Sequence, residues 1–203
     1  MLTVDNYRPN YSKTSVKAVD LGLSVLWADC NLGASSIEEE GELYGWGEVQ
    51  PRPFLSYGKE KRIKKEIDQK LFASQSKYGN ILPPDLDAAH YILGDNWKTP
   101  SYSEFQELCR NCDIEWTDVN GTYGYKFTSR VPGFEGKSIF IPKVQVFLLN
   151  EATYMFWYHT TDWIYRDSER GPECYVCEYD GKMDYHWAYS TCKAPIRAVK
   201  PRR

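Results

Sequence analysis

The alternation of large and small residues predicts β-strands at the beginning of the chain. Leu21, Leu23, Val25 and Trp27 occupy every second position, so their side chains share one face of an extended segment. The glycine-flanked stretch "GELYGWGEV" at residues 41–49 predicts a second strand. The N-terminal part of the chain is therefore expected to begin with short strands.

Two amphipathic helices are predicted in the middle of the chain. In "PPDLDAAHYILG", two prolines come first, Asp85 or Asp87 can cap the helix, and Gly94 follows its last turn. The apolar stripe of this helix consists of Leu86, Ala89 and Leu93. In "TPSYSEFQELCRNC", Ser101 and Glu104 have the spacing of a capping box. One face of this second helix carries Phe105, Leu108, Cys109 and Cys112.

A charged segment lies between the early strands and these helices. "KEKRIKKEIDQK" at residues 59–70 contains six basic and three acidic residues. Runs of mixed charge are typical of solvated faces, so residues 59–79 are interpreted as a helical insertion. A phosphate-binding patch is the alternative interpretation.

The second half of the chain shows β signals throughout. Asn120-Gly121 separates two alternating runs, which is a strong hairpin signal. Asp180-Gly181 predicts a second hairpin, "KSIFIP" predicts a short buried strand, and "APIRAV" predicts the last one. Strands, two helices and then many short strands indicate an α+β fold with mostly antiparallel sheet.

Composition and charge exclude several classes of function. The formal net charge of -3 argues against nucleic-acid binding, which favours a clustered basic excess. No apolar run has the length of a membrane-spanning helix, and the N-terminus lacks the pattern of a secretory signal. We therefore expect no membrane insertion and no nucleic-acid partner. Surface display or incorporation into a phage virion is suspected, and a cytoplasmic location is left open.

Aromatic residues concentrate near the C-terminus. The 39 residues from Tyr154 to Cys192 include eleven aromatic residues and a single lysine. Tyrosine and tryptophan beside small polar residues are typical of antibody paratopes, because rigid rings give large contact areas. Where polar and aromatic residues mix without a strand or helix period, we expect a loop-borne contact surface. Its residues are Tyr158, His159, Asp162, Tyr165, Arg166, Asp184, Tyr185, His186, Trp187 and Tyr189.

The alternative is that these aromatic residues fill a β core. Strand-like alternation favours that interpretation for Trp157, Trp163, Tyr175 and Tyr179. The sequence therefore predicts a division within one segment, with some rings in the core and others at the surface.

Several motifs together resemble a known family. They are "VDLGLSVLWADCNLGA", "YGWGE", "DAAHYILGDNWKTPSYSEFQEL", "NGTYGYKF", "SIFIP" and "IRAV", and they extend over residues 19–199. The chain resembles the C-type-lectin-like domains of Bacteroidetes and their phages, of the subtype shared with formylglycine-generating enzymes. The same scaffold serves as the variable protein of diversity-generating retroelements.

The resemblance implies a particular architecture and function. Terminal strands would lie adjacent, two helices would flank small twisted sheets, and residues 1–18 would form an N-terminal extension to a domain at 19–203. The variable ligand-binding face would be residues 154–192. The chain departs from the family at "FWYHTT" (residues 156–161), where relatives carry "WSS", and at "TCKAP" (residues 191–195), where they carry a glycine.

Metal-dependent and enzymatic functions have weaker signals. "CRNC" and "CYVC" have zinc-type internal spacing, but 61 residues separate Cys112 from Cys174. A zinc site would need Cys174, Cys177, His159 and His186 to converge. No common catalytic motif is present, and the calcium-binding motifs of true C-type lectins are absent. A Cys192–His186 dyad has no supporting signature.

The sequence thus predicts a ligand-binding, receptor- or adhesin-like module, with no cofactor, no metal and no enzymatic activity. A protein or glycan on a target surface would be its ligand, anchored by the aromatic residues and His159 and His186. Specificity would be tuned by Asp162, Arg166, Asp167, Asp184 and Ser190. The alternatives are a structural surface or phage-tail subunit, and a redox or metal-dependent enzyme that uses Cys174 and Cys177.

Overall fold

The structure is a computed structural model that describes residues 16–52, 55–94, 96–148, 151–165, 172–180, 182–189 and 192–202, with the backbone alone at 145–148, 151–155, 172, 174–178, 183 and 185–189. The elements in chain order are β1 (Ala18–Val19), β2 (Val25–Ala28), β3 (Tyr44–Gly45), α1 (Tyr57–Tyr78), a 3₁₀ turn (Pro84–Leu86), α2 (Ala88–Leu93), α3 (Tyr102–Asn111), β4 (Cys112–Val119), β5 (Thr122–Ser129), β6 (Ser138–Pro142), β7 (Val144–Leu148), β8 (Glu151–Met155), β9 (Trp157–Tyr165), β10 (Pro172–Tyr179), β11 (Met183–Tyr189), β12 (Lys193–Ala194) and β13 (Val199–Pro201). The strand pairs between these elements are antiparallel, so the predicted α+β class is confirmed.

The first and last strands lie in one small sheet. Its order is β1–β2–β13, and Val199 pairs with Trp27. The predicted strand is shorter than its pattern, because only Val25 and Trp27 lie within β2. The four residues predicted to share one face, Leu21, Leu23, Val25 and Trp27, are all buried. The predicted strand at residues 41–49 is reduced to β3, because Gly47 has a φ of 81° that breaks the extended backbone.

The two predicted amphipathic helices are confirmed together with their caps. Asp87 accepts a hydrogen bond from the backbone N–H of Ala89 at the start of α2. Ser101 and Glu104 form the complete capping box of α3. Helix α3 ends at Asn111, one residue before Cys112, which begins β4 and is nevertheless buried as predicted.

The charged segment forms the 22-residue helix α1, as predicted. Most of its charged side chains are exposed, whereas Glu60, Lys64 and Asp68 are partly buried in ion pairs. Ile67 and Leu71 are buried in the main core. Among the described residues, no helix combines the length and apolarity needed to cross a membrane.

Both predicted hairpins are present. Strands β4 and β5 pair from Cys112–Ser129 to Val119–Thr122, and the two intervening residues, Asn120 and Gly121, have φ values of 51° and 84°. Positive φ at both positions is the requirement of a type I′ turn, whose twist matches that of the strands. Strands β10 and β11 form the second hairpin.

The C-terminal strands form a three-stranded sheet with the order β11–β10–β9. The pairing of β10 with β9 is irregular at one point: Cys174 of β10 pairs with Trp163, but Val176, two residues later, pairs with His159. Between these two pairs β9 has more residues than β10, as in a β-bulge. One of them, Thr161, uses its carbonyl to accept a hydrogen bond from the backbone N–H of Leu82 (2.8 Å). Strand β9 thus joins the C-terminal sheet to the segment before α2.

A fully buried arginine ties three segments of the scaffold together. The predicted strand "APIRAV" is not continuous, because only Lys193–Ala194 (β12) and Val199–Pro201 (β13) are strands and Arg197 lies between them. Arg197 donates from Nε to Oδ1 of Asn31 (2.9 Å). Its two terminal nitrogens donate to the backbone carbonyls of Ala28 (3.2 Å) and Phe140 (2.9 Å). The end of β2, the following loop and strand β6 are therefore fixed to one guanidinium group.

Candidate binding surface

The backbone of the C-terminal sheet brings most of the predicted contact residues together. Strand β11 contains Tyr185, His186, Trp187 and Tyr189, which pair with Cys177, Val176, Tyr175 and Glu173 of β10. The prediction that this segment is a loop is wrong, because its backbone is hydrogen-bonded in a regular hairpin. The side chains of these four residues lie outside the described part, as do Arg166, Asp167 and Ser190. Asp184, in the same strand, is exposed.

Tyr158 is a correction to the predicted surface. Its side chain has 0 % exposure, and its hydroxyl donates to the carbonyl of Pro142 (2.8 Å) and accepts from Nδ2 of Asn31 (2.9 Å). Burial raises the pKa of this phenol well above its usual range. Because both hydrogen-bonding capacities of the hydroxyl are used inside the protein, Tyr158 belongs to the core and not to a contact surface.

His159 is a second correction. Its exposure is 1 %, and its Nε2 lies 2.7 Å from the carbonyl of Tyr44. A carbonyl oxygen only accepts hydrogen bonds, so Nε2 carries the proton. Burial lowers the pKa of His159 to about 4, so the ring is neutral at neutral pH. This histidine therefore links β9 to β3 and is not available at the surface.

Asp162 is engaged by the scaffold at the irregular part of β9. Its Oδ2 accepts a hydrogen bond from the backbone N–H of Tyr102 (2.7 Å), the first residue of α3. A carboxylate at this position also interacts favourably with the positive end of the helix dipole. Burial raises the pKa of Asp162 above its ordinary value, and the hydrogen bond from Tyr102 opposes that shift. The position predicted to tune specificity thus orients a helix.

Tyr165, at the end of β9, is exposed as predicted. It retains 43 % exposure, and its ring meets Phe72 of α1 edge-on at a centroid distance of 5.2 Å. Phe72 is itself 44 % exposed and lies 6.2 Å from the buried Trp163. One end of the C-terminal sheet therefore carries a half-exposed aromatic pair, to which the helical insertion contributes one ring.

A second exposed aromatic pair lies at the tip of the β4–β5 hairpin. The rings of Trp116 and Tyr123 stack with an interplanar angle of 11° and a centroid distance of 5.7 Å, and they are 45 % and 58 % exposed. The ammonium of Lys143 lies 5.1 Å from the centre of the Trp116 ring, a cation–π contact. This site was not predicted from the sequence. The available signal was strand alternation, which puts Trp116 and Tyr123 on the same face of the hairpin as the buried Phe127.

This second pair is continuous with the C-terminal sheet. The ring of Tyr125 packs edge-on against Trp116 on one side and against Tyr179 of β10 on the other, with centroid distances of 4.8 and 4.7 Å. Asp180, in the β10–β11 turn, is close enough for its charge to contribute to the raised pKa of Tyr125, after burial as the main cause. The two aromatic pairs therefore border opposite ends of the same sheet, and we refer to Phe72, Tyr165, Trp116 and Tyr123 as the rim aromatics.

The core interpretation holds for part of the C-terminal segment. Trp157 and Trp163 are buried, as predicted, and Tyr179 is half-buried against Phe127 and Phe156. The side chain of Tyr175 lies outside the described residues. A chain of ring contacts thus runs from the centre of the protein to the exposed hairpin tip.

A charged cluster fastens α1 beside this sheet. Arg52 forms a two-point contact with the carboxylate of Glu60 in the first turn of α1 (2.8 Å for each bond) and an ion pair with Glu48 (2.6 Å). Lys193 of β12 is buried and donates to the carbonyl of Arg52. Burial, assisted by the charge of Arg52, lowers the pKa of Lys193 to about 8. The helix that carries Phe72 is therefore held to the strand that follows the C-terminal sheet.

The described thiols are unreactive in character. Burial raises the pKa of Cys30, Cys112 and Cys192 to about 11 and that of Cys109 to about 12, so these free cysteines are protonated at neutral pH. In the described part of the chain, no group of three histidine, cysteine or carboxylate side chains could hold a metal ion. The side chains of Cys174 and Cys177 lie outside that part.

Comparison with known proteins gives no relative: no family model, curated protein or solved structure matches this chain.

Proposed function

We propose that this chain is a ligand-binding module with a C-type-lectin-like fold, which contacts a protein or glycan on a target surface through the C-terminal sheet and its rim aromatics. The observation that carries the proposal is the presence of two half-exposed aromatic pairs at opposite ends of one sheet. Tyrosine and tryptophan dominate the energetics of many protein interfaces, because they bury large areas with few torsions to freeze.

The rim aromatics are suited to this role because ring contacts already fix their orientation. Tyr165 leans edge-on against Phe72, and Trp116 stacks on Tyr123 beneath the ammonium of Lys143. A side chain that is ordered before binding loses less conformational entropy when the partner arrives. Nearby exposed charges, on Asp180, Lys182 and Asp184, can supply the polar part of the interface.

We further propose that the C-terminal segment is diversified, as in the variable proteins of retroelements. Support comes from the separation between the anchored positions and the rim: Tyr158 and His159 are held by buried hydrogen bonds, whereas Tyr165 and Asp184 are exposed. Substitution at exposed positions usually changes stability by less than about 0.5 kcal/mol, so such positions can vary while the fold persists.

The genomic locus tests the diversification proposal. The expected result is a near-duplicate of the segment that encodes residues 154–199, next to a reverse-transcriptase gene, with mismatches confined to adenines of the template copy. The absence of a second copy would contradict the proposal.

A structural surface subunit is the competing function, because exposed aromatic pairs also favour self-association. Sedimentation at micromolar concentration distinguishes the two. A monomer supports the binding module. A stable oligomer that dissociates when Trp116 and Tyr123 are replaced by alanine would support the structural subunit.

A further inference from the structure

The exposed side of helix α1 is strongly basic. This helix contains seven basic and three acidic residues, whereas the whole chain has a formal net charge of -3. The rest of the chain is therefore acidic, and positive charge is concentrated on one element. The core does not account for this charge, since the residues of α1 that it buries are Ile67 and Leu71.

The acidic residues of α1 are already paired. Its three carboxylates lie in ion pairs with basic side chains: Glu60 with Arg52, Glu66 with Arg62 and Asp68 with Lys64. By contrast, Lys59, Lys61, Lys65 and Lys70 are exposed, and none of them has an ion-pair partner among the residues that the structure describes. The helix thus presents uncompensated positive charge to water.

Four side chains form one row along this helix, which we call the α1 row: Tyr57, Lys61, Lys65 and Phe72. At about 100° per residue, their directions around the helix axis fall within about 80° of one another. All four are exposed, Tyr57 at 83 % and Phe72 at 44 %. The row is about 22 Å long, because a helix rises about 1.5 Å per residue. An aromatic ring therefore lies at each end, with two ammonium groups between.

The α1 row is continuous with the proposed binding surface. Phe72 packs edge-on against Tyr165 at the end of β9, with a centroid distance of 5.2 Å. The first turn of the helix is fixed by the two-point contact between Arg52 and Glu60, and a later turn by the burial of Leu71. The row is therefore held beside the C-terminal sheet before any ligand arrives, which lowers the entropy cost of binding.

We propose that the α1 row binds an acidic glycan, a chain of sugar rings that carries carboxylate or sulfate groups. Its anionic groups meet Lys61 and Lys65, and the apolar C–H faces of its rings pack on Tyr57 and Phe72. Lysine suits such a ligand, because a point charge on a flexible stem follows anionic groups of varied geometry. This inference rests on the proposed function, since it names the ligand class at one end of that surface.

The shape of the α1 row favours a glycan over a protein or a membrane. One side of a single helix is narrow and convex, whereas a stable protein partner needs about 800 Å² on each side and pockets for its anchoring residues. A helix that lies in a membrane inserts its apolar face, but the apolar residues Ile67 and Leu71 of α1 are buried in the core. A linear glycan needs only a strip as wide as one sugar chain.

Isothermal titration of the full chain with three probes tests the ligand class. The probes are a heparin tetrasaccharide, neutral chitotetraose, and an aspartate peptide of the same charge as the tetrasaccharide. We expect saturable binding of the tetrasaccharide at low salt, at least about tenfold tighter than chitotetraose and about fivefold tighter than the peptide. Its affinity should fall at least about tenfold between about 0.05 M and 0.5 M salt, because salt screens exposed charges.

Matched variants separate the α1 row from the overall charge. The double variant Lys61→Gln/Lys65→Gln should weaken tetrasaccharide binding about tenfold. The control Lys17→Gln/Lys126→Gln removes the same charge from exposed positions outside α1 and should change that binding by less than about twofold. Phe72→Ala should weaken binding of the tetrasaccharide about fivefold and leave binding of the peptide unchanged, because the peptide has no sugar ring to pack on the aromatic face.

A second ring variant separates loss of the site from loss of the fold. Because Tyr57 is 83 % exposed, Tyr57→Ala should retain the melting temperature and still weaken tetrasaccharide binding about threefold. The proposal is overturned if the tetrasaccharide does not saturate, if the control double variant loses as much affinity as the row variant, or if the aspartate peptide binds as tightly, which would indicate an acidic protein partner.

The proposed function fails separately from this inference. An oligomer held together by Trp116 and Tyr123 would overturn the proposed function. Absence of tetrasaccharide binding in a monomeric protein would overturn the acidic-glycan inference alone.

Discussion

Tyr158 and Tyr165 lie seven residues apart in strand β9 and occupy opposite environments. The first is fully buried and joined by hydrogen bonds to Asn31 and Pro142. The second is 43 % exposed and packs edge-on against Phe72. The inner part of β9 is therefore scaffold, whereas its outer end is surface. This difference shows that aromatic content alone does not distinguish a core from a contact face. The distinguishing features are the burial of the ring and the internal hydrogen bonds of its hydroxyl, as at Tyr158.

The largest effect should come from the centre of the scaffold. Replacing Arg197 by methionine removes the donors for Asn31 Oδ1 and for the carbonyls of Ala28 and Phe140. We expect the free energy of unfolding to fall by about 3–5 kcal/mol, because buried acceptors lose charge-assisted hydrogen bonds. Urea denaturation measures this change. Arg110→Met, which removes an exposed arginine from α3, is the matched control and should change stability by less than about 0.5 kcal/mol.

The next effect depends on pH. The pKa of His159 is about 4 in the folded protein and 6.5 in the unfolded chain, so the unfolded state binds a proton first as the pH falls. The stabilisation is complete above pH 6.5 and is lost progressively toward pH 4, by about 3 kcal/mol in total. Stability measured from pH 7 to pH 4 should fall more steeply for the wild type than for His159→Gln. Parallel curves would contradict the neutral, buried state of His159.

A matched pair of conservative changes sharpens the comparison within β9. Tyr158→Phe leaves the carbonyl of Pro142 and Nδ2 of Asn31 without the hydroxyl that pairs them, and should cost about 1–3 kcal/mol. Tyr165→Phe removes the hydroxyl of a half-exposed residue and should cost less than about 0.5 kcal/mol. Equal losses in thermal denaturation would mean that both ends of the strand are scaffold.

The smallest effect on stability should come from the hairpin tip. Trp116→Ala and Tyr123→Ala remove half-exposed rings and should each reduce the free energy of unfolding by less than about 1 kcal/mol, largely through loss of their mutual stacking. Denaturant titration of both single variants and the double variant gives the coupling energy. A loss above about 3 kcal/mol would place these rings in the core.

Local chemistry made much of the fold predictable. Asn120-Gly121 specifies a tight hairpin because both residues accept positive φ, and Ser101 with Glu104 caps α3 through contacts three residues apart. Such features depend on neighbours in sequence. The strand at residues 41–49 was overestimated, because the backbone at Gly47 leaves the extended region.

The candidate surface was harder to predict because it depends on distant neighbours. His159 and Tyr158 resembled surface residues in sequence, yet Nε2 of His159 bonds the carbonyl of Tyr44 and the hydroxyl of Tyr158 bonds Asn31, in each case more than a hundred residues away. Trp116 continues the core-facing side of its hairpin and becomes exposed where the body of the protein ends. The local sequence pattern does not show which core-facing positions of a sheet extend beyond the packed core.

Deep mutational scanning of Trp116, Tyr123 and residues 154–199, with selection for protease-resistant protein, tests the division between scaffold and surface most directly. We expect broad tolerance at Trp116, Tyr123, Tyr165 and Asp184 and along β11, and intolerance at Tyr158, His159 and Arg197. Equal intolerance at the rim positions and at the buried ones would contradict it, because a diversified face cannot be built from residues that the fold requires.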